Sequence, residues 1–151
     1  VTTAKGQSIR FKESQIRPMG RTASGVRGIR LRAGDEVAGF DIIEGDDSKK
    51  IAEGRLLVVM ANGFGKQTSL KEYKLQHRGG SGIRTANITP KTGVLVAAKI
   101  IHDQSEILAL SAKGQVIRTE LKSVRATGRA AQGVRIMNVS QGDRLAGVVV
   151  I

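Results

Sequence analysis

Ala61-Asn62-Gly63-Phe64-Gly65 opens the middle copy of a segment that occurs three times in the chain. Ala4-Lys5-Gly6 and Ala112-Lys113-Gly114 open the other two copies, and the three align without a gap for about 25 residues. A second glycine follows each leading glycine at the same distance in every copy: Gly25, Gly82 and Gly133. Units of roughly 50 residues with strand-like content are typical of propeller arrays, whereas helical solenoids have shorter units.

Each repeat unit reads as a series of short antiparallel strands. Residues 56–60 and 107–110 are apolar runs that end at the repeated turn. Asn62-Gly63 predicts a type I′ hairpin turn, because both residues tolerate the positive φ that this turn requires. The return strands are predicted over 7–11, 64–70 and 115–121, a third strand after each second glycine as in 133–137, and closing strands over 37–43, 94–101 and 145–151.

These patterns predict an all-β fold, a propeller-like array of about three four-stranded blades. The blades are expected at residues 1–44, 55–101 and 106–151, with an acidic and polar loop over 45–54. Glu44, Asp46 and Asp47 could hold a hard cation, but their spacing fits no EF-hand, so an exposed loop without a metal is predicted. Residues 69–76 could form a helical turn, yet their counterpart 120–124 reads as a strand end, which favours a strand.

The residue inventory offers no active site. The chain has no Cys and two histidines, His77 and His102, so it provides neither a thiolate nucleophile nor a histidine-based triad. Residues 63–68 are superficially similar to a phosphate-binding loop, but Met60 and Gln67 stand where that loop requires Gly and Ser or Thr. They therefore predict a hairpin turn and a strand. Tyr73 is expected to pack in the core, and no catalytic residue, metal ligand or cofactor is predicted.

The charge balance points to a polyanionic partner. Lys and Arg number 25 against 13 Asp and Glu, which gives a formal net charge of +12. Such an excess of positive charge is typical of nucleic-acid-binding proteins. The four aromatic residues, Phe11, Phe40, Phe64 and Tyr73, are too few to form stacking platforms for single strands, and no recognition helix is evident. Duplex DNA held through its phosphate backbone is therefore expected.

Six arginines recur at two matched positions of the repeat. The first row is Arg21, Arg78 and Arg129, and the second row is Arg27, Arg84 and Arg135. First-row residues lie in glycine-rich turns, where backbone N–H groups can approach an anion and a guanidinium can hold phosphate oxygens. An arginine at one repeat position could instead form a salt bridge between blades.

Phosphate contact is the favoured interpretation for the first row, and both interpretations stay open for the second. Replacing the first row by alanine is expected to weaken duplex binding and to leave the melting temperature nearly unchanged.

Three segments carry a resemblance to a known family: residues 17–31, residues 66–73 and the loop 76–82. Together with Gly128-Arg129-Ala130-Ala131-Gln132-Gly133-Val134-Arg135, they make the chain similar, over essentially its whole length, to the last three blades of the C-terminal domain of the DNA gyrase A subunit. That resemblance implies a β-pinwheel, a propeller-like disc whose strands cross between neighbouring blades and whose basic rim wraps duplex DNA.

The family has a seven-residue box motif (Gln, a base, Arg, Gly, Gly, a base, Gly), and this chain resembles it with two departures. The box-like loop consists of Gln76, His77, Arg78, Gly79, Gly80, Ser81 and Gly82. His77 and Ser81 stand at the two basic positions, so the loop reads as a degenerate copy. The full box is expected in a preceding blade.

The resemblance also implies a parent enzyme and its partners. That enzyme would be an ATP-dependent type II topoisomerase, an isomerase that introduces negative supercoils, whose ATP, Mg²⁺ and catalytic tyrosine belong to other regions. The expected partners are double-stranded DNA, the remainder of the gyrase A subunit and the gyrase B subunit.

The expected location is the bacterial cytoplasm, in association with the nucleoid, because no apolar run reaches the roughly 18 residues of a membrane helix. Two alternatives remain for the function: the corresponding domain of topoisomerase IV, and a basic propeller that serves as a protein-interaction platform.

Overall fold

Strands make up nearly all of the regular structure in the computed structural model, which describes residues 1–44 and 48–151. The first unit contains β1 (Thr2–Thr3), β2 (Gln7–Ser8) and β3 (Val37–Gly39). The second unit contains β4 (Arg55–Met60), β5 (Phe64–Ser69), β6 (Ile83–Arg84) and β7 (Leu95–Ile101). The third unit contains β8 (Glu106–Ser111), β9 (Val116–Glu120), β10 (Val134–Arg135) and β11 (Leu145–Val150). These elements confirm the all-β prediction.

A tight turn joins the first two strands of every unit. In the second unit the N–H of Gly63 donates to the carbonyl of Met60 at 3.0 Å. Gly63 has a φ of +82°, and no residue other than glycine has a positive φ in the described ranges. The predicted type I′ turn is therefore wrong, because this loop needs only one left-handed residue, the glycine that ends it. Gly6 and Gly114 repeat the arrangement with φ values of +80° and +87°.

The sheets form by exchange of a strand between neighbouring units. β6 of the second unit pairs with β2 of the first, and β10 of the third unit pairs with β5 of the second. The strand orders are β3-β1-β2-β6, β10-β5-β4-β7 and β11-β8-β9. The first two sheets thus have the expected four strands, and the third has three among the described residues. Each exchanged strand fastens one blade to the next.

A glycine precedes each exchanged strand because the backbone there passes directly against the neighbouring sheet. Gly82 has a φ of +70°, and a Cβ at this position would lie 2.5 Å from the carbonyl oxygen of Ser8. Gly133 has a φ of +91°, and its Cβ would lie 2.5 Å from the carbonyl oxygen of Gly65. The second glycine of the repeat is thus required both for its conformation and for the space it leaves.

The core consists of two apolar layers, one on each face of β4. Leu57 and Val59 point into a layer shared with β8 and the third blade, together with Ile107 and Ala109. Alternate residues of the same strand, Leu56, Val58 and Met60, point into a layer with Phe64, Leu70, Tyr73, Ala86, Leu95 and Ala98. Because both faces of β4 are covered, its sequence is a continuous apolar run instead of an alternating one.

Short 3₁₀ turns follow the return strands, where the chain leaves one sheet for the next. They span Glu13–Gln15, Leu70–Glu72 and Leu121–Ser123. The strand expected over 69–76 and 120–124 is therefore wrong, since the N–H groups of Tyr73 and Val124 bond back to the carbonyls of Leu70 and Leu121. Tyr73 itself is buried, as expected, and its hydroxyl lies 2.5 Å from that of Thr85.

The segment between the first two units contains a helix in place of the expected continuous loop over 45–54. This helix, α1, spans Ser48–Glu53 and packs near the 3₁₀ turn at Leu70–Glu72. Residues 45–47, which include Asp46 and Asp47 of the acidic group considered with Glu44, lie outside the described part of the chain.

Candidate nucleic-acid interface

The first-row arginine of the second blade is bound to the backbone of the first blade. The Nε of Arg78 donates to the carbonyl oxygen of Gln15 at 2.9 Å, and one terminal nitrogen donates to the carbonyl oxygen of Arg27 at 3.1 Å. Its backbone N–H donates to Oε1 of Gln15 at 2.8 Å. Arg78 therefore helps to hold the two blades together.

Arg129 repeats these contacts one blade further on. A terminal nitrogen donates to the carbonyl oxygen of Arg84 at 3.0 Å, and the backbone N–H donates to Oε2 of Glu72 at 3.2 Å. The Nε lies 4.0 Å from the same carboxylate oxygen, which is an ion-pair distance and too long for a hydrogen bond. Glu72 occupies the repeat position that Gln15 has in the first unit. Both interpretations of the first row, phosphate contact and salt bridge, therefore remain relevant to Arg129.

Arg21 differs from the other two first-row residues. It is exposed, and its side chain makes no hydrogen bond or ion pair with any residue of the described ranges. The sequence treats the three positions as equivalent, but the structure separates one free arginine from two that join blades. The hydrogen bonds of Arg78 and Arg129 contradict the idea that all three contribute little to stability, and we expect their replacement to lower it.

The second row faces solvent in all three units. Arg27, Arg84 and Arg135 are exposed, and the last two lie on the exchanged strands β6 and β10. The guanidinium of Arg135 is 5.0 Å from the ring centre of Phe64 in the neighbouring blade, a cation–π distance that orients the side chain. No carboxylate lies within ion-pair distance of a second-row arginine in the part of the chain that the structure describes.

The two rows alternate along the array. Because Arg78 bonds to the carbonyl of Arg27, and Arg129 bonds to the carbonyl of Arg84, each second-row residue has the next blade's first-row residue beside it. The order across the molecule is Arg21, then Arg27 with Arg78, then Arg84 with Arg129, then Arg135. The structure thus brings five of the six arginines into two adjacent pairs and a terminal member on the third blade.

The box-like loop acts as a fastening between the first two blades. The backbone N–H of Gln76 donates to the carbonyl of Arg10 at 2.8 Å, and that of Gly79 donates to the carbonyl of Gly28 at 2.6 Å. The carbonyl of Gly80 in turn accepts from the N–H of Arg30 at 2.8 Å. His77 and Ser81, the two positions where the motif has bases, are exposed. The loop's backbone is therefore engaged in the fold, and these two side chains face outward.

Lys66 is a residue that the sequence interpretation missed. It is fully buried, and its Nζ donates to the carbonyl oxygens of Gly128 at 2.7 Å and Arg129 at 2.5 Å. Burial lowers the pKa of Lys66 to about 8, while the charge of Glu72 opposes this shift and that of Arg129 adds to it. Ile9 and Ile117 occupy the same repeat position. A lysine at an otherwise apolar position of a repeat is the signal that could have revealed it.

The exchanged strands, the repeated hairpins and the two arginine rows define a strand-swapped β-propeller domain, the architecture called a β-pinwheel. The chain belongs to the DNA gyrase C-terminal domain family, described as a β-propeller, which matches residues 1–44, 56–102 and 105–151. In the described residues, no helix has both the length and the apolar character needed to cross a membrane.

Relatives in sequence carry the name of the DNA gyrase A polypeptide. The protein from Staphylococcus epidermidis is 42% identical over 143 residues, which is 95% of this chain and 16% of that protein. The protein from Aminobacterium colombiense is 41% identical over 152 residues, which is 100% of this chain and 18% of that protein. The chain thus spans less than a fifth of the length of these relatives.

Solved structures share the fold. A structure of the DNA gyrase A C-terminal domain superposes with a TM-score of 0.85 at 25% identity, covering 99% of this chain and 48% of that one. The C-terminal domain of DNA topoisomerase IV superposes with a TM-score of 0.88 at 19% identity, covering 99% of this chain and 45% of that one. Topoisomerase IV is thus similar in fold, while these sequence relatives are gyrase A polypeptides.

Proposed function

We propose that this chain binds duplex DNA through its phosphate backbone and bends it along the arginine rows, within the DNA-wrapping domain of a gyrase A polypeptide. The single observation that carries the proposal is the second row: three arginines at matched positions, all exposed and free of carboxylates within the described residues. Exposed guanidinium groups at regular intervals suit a regular polyanion better than a compact ligand.

The first row contributes in two ways under this proposal. Arg21 is exposed and extends the row of free guanidinium groups at the first blade. Arg78 and Arg129 use some of their five donors between the blades, and their remaining donors and positive charge lie beside the second row. These two residues therefore fix the spacing of the DNA contacts and add to the local positive potential.

Bending is the energetic demand that this surface must meet. Curving 20–30 bp through 40–90° costs on the order of 1–6 kcal/mol, and a wrap contains several such stretches. Release of counterions at each neutralised phosphate offsets that cost. With a net charge of +12, the chain has enough unpaired basic side chains to neutralise several phosphates.

In the whole enzyme, we infer that such a wrap presents a second DNA segment to the cleavage site with a fixed crossing sign. This geometry would support ATP-dependent negative supercoiling, with ATP, Mg²⁺ and the catalytic tyrosine supplied by the remainder of the gyrase A polypeptide and by its gyrase B partner. A cytoplasmic, nucleoid-associated location follows from that role.

The direct test is duplex binding by a variant that lacks the second row. Arg27→Ala, Arg84→Ala and Arg135→Ala together are expected to weaken binding to a short duplex more than tenfold at low salt, because three phosphate contacts are lost. The measurement is a fluorescence anisotropy titration. A linking-number assay on relaxed closed-circular DNA then reports whether the bound DNA is wrapped.

The matched control removes the same charge elsewhere. Lys99, Lys113 and Lys122 are exposed lysines outside both rows, and replacing all three by alanine lowers the net charge equally. Equal weakening by both triple variants would show that net charge alone governs binding and would contradict contact at the second row. Binding of an acidic peptide in preference to the duplex would support the protein-interaction platform instead.

A further inference from the structure

The contact between the second and third blades contains a buried cation that the first contact lacks. Lys66 on β5 has no exposed surface, and its ammonium group donates to two carbonyl oxygens of the turn that carries Arg129. At the first contact the corresponding residue is Ile9, whose Cδ1 would lie 3.5 Å from a Cβ at Gly80. An apolar contact at one interface is thus replaced by a charged one at the other.

A second substitution accompanies this one. Glu72 stands where the first unit has Gln15, and both accept the backbone N–H of the next blade's first-row arginine. Lys66, Glu72 and Arg129 therefore form a charged cluster, whereas Ile9, Gln15 and Arg78 contain one formal charge. The chain keeps the backbone geometry of the turn in both places and adds an ionisable group beneath only one.

We propose that Lys66 is a positioning residue whose buried ammonium group holds the turn at Gly128 and Arg129 and supplies positive charge beneath it, so that DNA binding at the third blade is coupled to the proton on Lys66. This inference rests on the proposed function. It adds a specific, titratable residue to a surface otherwise made of permanently charged arginines.

The sign of the coupling follows from the charges. Burial lowers the pKa of Lys66 to about 8, so the group loses its proton in mildly alkaline solution. A phosphate held at the turn favours the ammonium form and raises the pKa of Lys66 in the complex. DNA binding near pH 8 therefore takes up protons, and the affinity is full at lower pH and falls as the pH rises through the value in the complex.

The charged and titratable groups around Lys66 are few. Glu72 faces it from the 3₁₀ turn after β5 and Arg129 from the third blade, and neither changes its charge in this pH range. Burial raises the pKa of Tyr73, which keeps its phenol neutral there. Burial lowers the pKa of the amino group of Val1 from its usual 8.0, so this group titrates in or below the same range in all variants. Differences between variants at position 66 remove its contribution.

The experiment compares three proteins across the alkaline range at constant ionic strength. Duplex affinity of the unaltered chain is expected to fall about fivefold between about pH 7 and pH 9.5. Lys66→Arg, which stays protonated throughout, keeps the affinity seen at low pH and loses this part of the pH dependence. Lys66→Met removes the charge and the two hydrogen bonds, and binds about fivefold more weakly at every pH.

A measurement without substitutions protects the test against a variant that does not fold. Isothermal titration calorimetry near pH 8, in two buffers with different protonation enthalpies, should detect uptake of a fraction of a proton on DNA binding. Tight binding with no proton uptake, or equal pH profiles for the unaltered chain and Lys66→Arg, overturns the inference alone. Failure of the second-row triple variant to weaken binding overturns the proposed function itself.

Discussion

At the scale of single residues, position in the repeat does not determine what an arginine does. Arg21, Arg78 and Arg129 occupy one repeat position, yet two of them donate to carbonyl oxygens of the preceding blade and the third is exposed. The difference depends on whether a preceding blade lies beside the residue in this chain. A charged donor that satisfies a backbone carbonyl contributes to stability whether or not DNA is present.

This difference leads to a prediction about stability. Arg78→Ala removes two hydrogen bonds between blades, at 2.9 and 3.1 Å, and should lower the free energy of unfolding by about 2 kcal/mol. For a chain of this size that loss corresponds to a decrease in Tm of about 4–8 °C. Arg21→Ala, the control at the same repeat position, should change Tm by less than about 1 °C. Differential scanning calorimetry measures both, and equal Tm values would show that the Arg78 bonds add nothing.

The residue scale also shows where the sequence interpretation stops. The repeat correctly identified both arginine rows as recurring positions, because identity at a fixed spacing is visible in the sequence. It could not reveal that Arg78 bonds to Arg27, since these residues are 51 positions apart in the chain and meet only after strands are exchanged. Lys66 was hidden for a related reason: its partners, Gly128 and Arg129, belong to the following unit.

At the scale of elements, the strands were predicted better than their pairing. The observed β4, β7, β8 and β11 begin and end within two residues of the predicted ranges, because short apolar runs bounded by turns identify buried strands. The exchange of β6 and β10 into preceding sheets followed only from the family resemblance. Alternation of apolar residues fixes which face of a strand is buried but carries no information about which sheet the strand joins.

The glycines before the exchanged strands give a test of this pairing. Gly82→Ala should destabilise the chain more than Gly25→Ala, although both residues have positive φ, of +70° and +78°. Each substitution incurs about 1–2 kcal/mol for the left-handed backbone. Only at Gly82 does the new Cβ meet a backbone atom, the carbonyl oxygen of Ser8 at 2.5 Å, while nothing lies within 4 Å of it at Gly25.

The expected difference is about 1–3 kcal/mol in the free energy of unfolding, which urea denaturation can measure. Amide hydrogen exchange at β2 and β6 provides a local readout, because loss of the exchanged strand would expose the backbone groups that pair there. Similar destabilisation by the two substitutions, with unchanged protection at β2, would contradict a close approach between these strands.

At the scale of the whole molecule, the blades and the charges form one system. β4 is covered on both faces, so the middle blade ties the two apolar layers together and holds its neighbours in a fixed arrangement. The hydrogen bonds of Arg78 and Arg129 lie at the same blade contacts that set the spacing of the second row. Rigid spacing between blades is what allows separated guanidinium groups to act on a single bent duplex.

The salt dependence of binding measures how many of these groups contact phosphates. Each neutralised phosphate contributes about −0.9 to the slope of log affinity against log salt concentration, so contact by all six arginines gives a slope near −5. Removing Arg27, Arg84 and Arg135 together should make the slope less steep by about 3, because these side chains are exposed and have no carboxylate partner among the described residues. Arg78→Ala, whose guanidinium is partly engaged between blades, should change it by less than about 1. A slope that responds equally to the lysine triple at positions 99, 113 and 122 would mean that DNA follows no defined row of arginines on this surface.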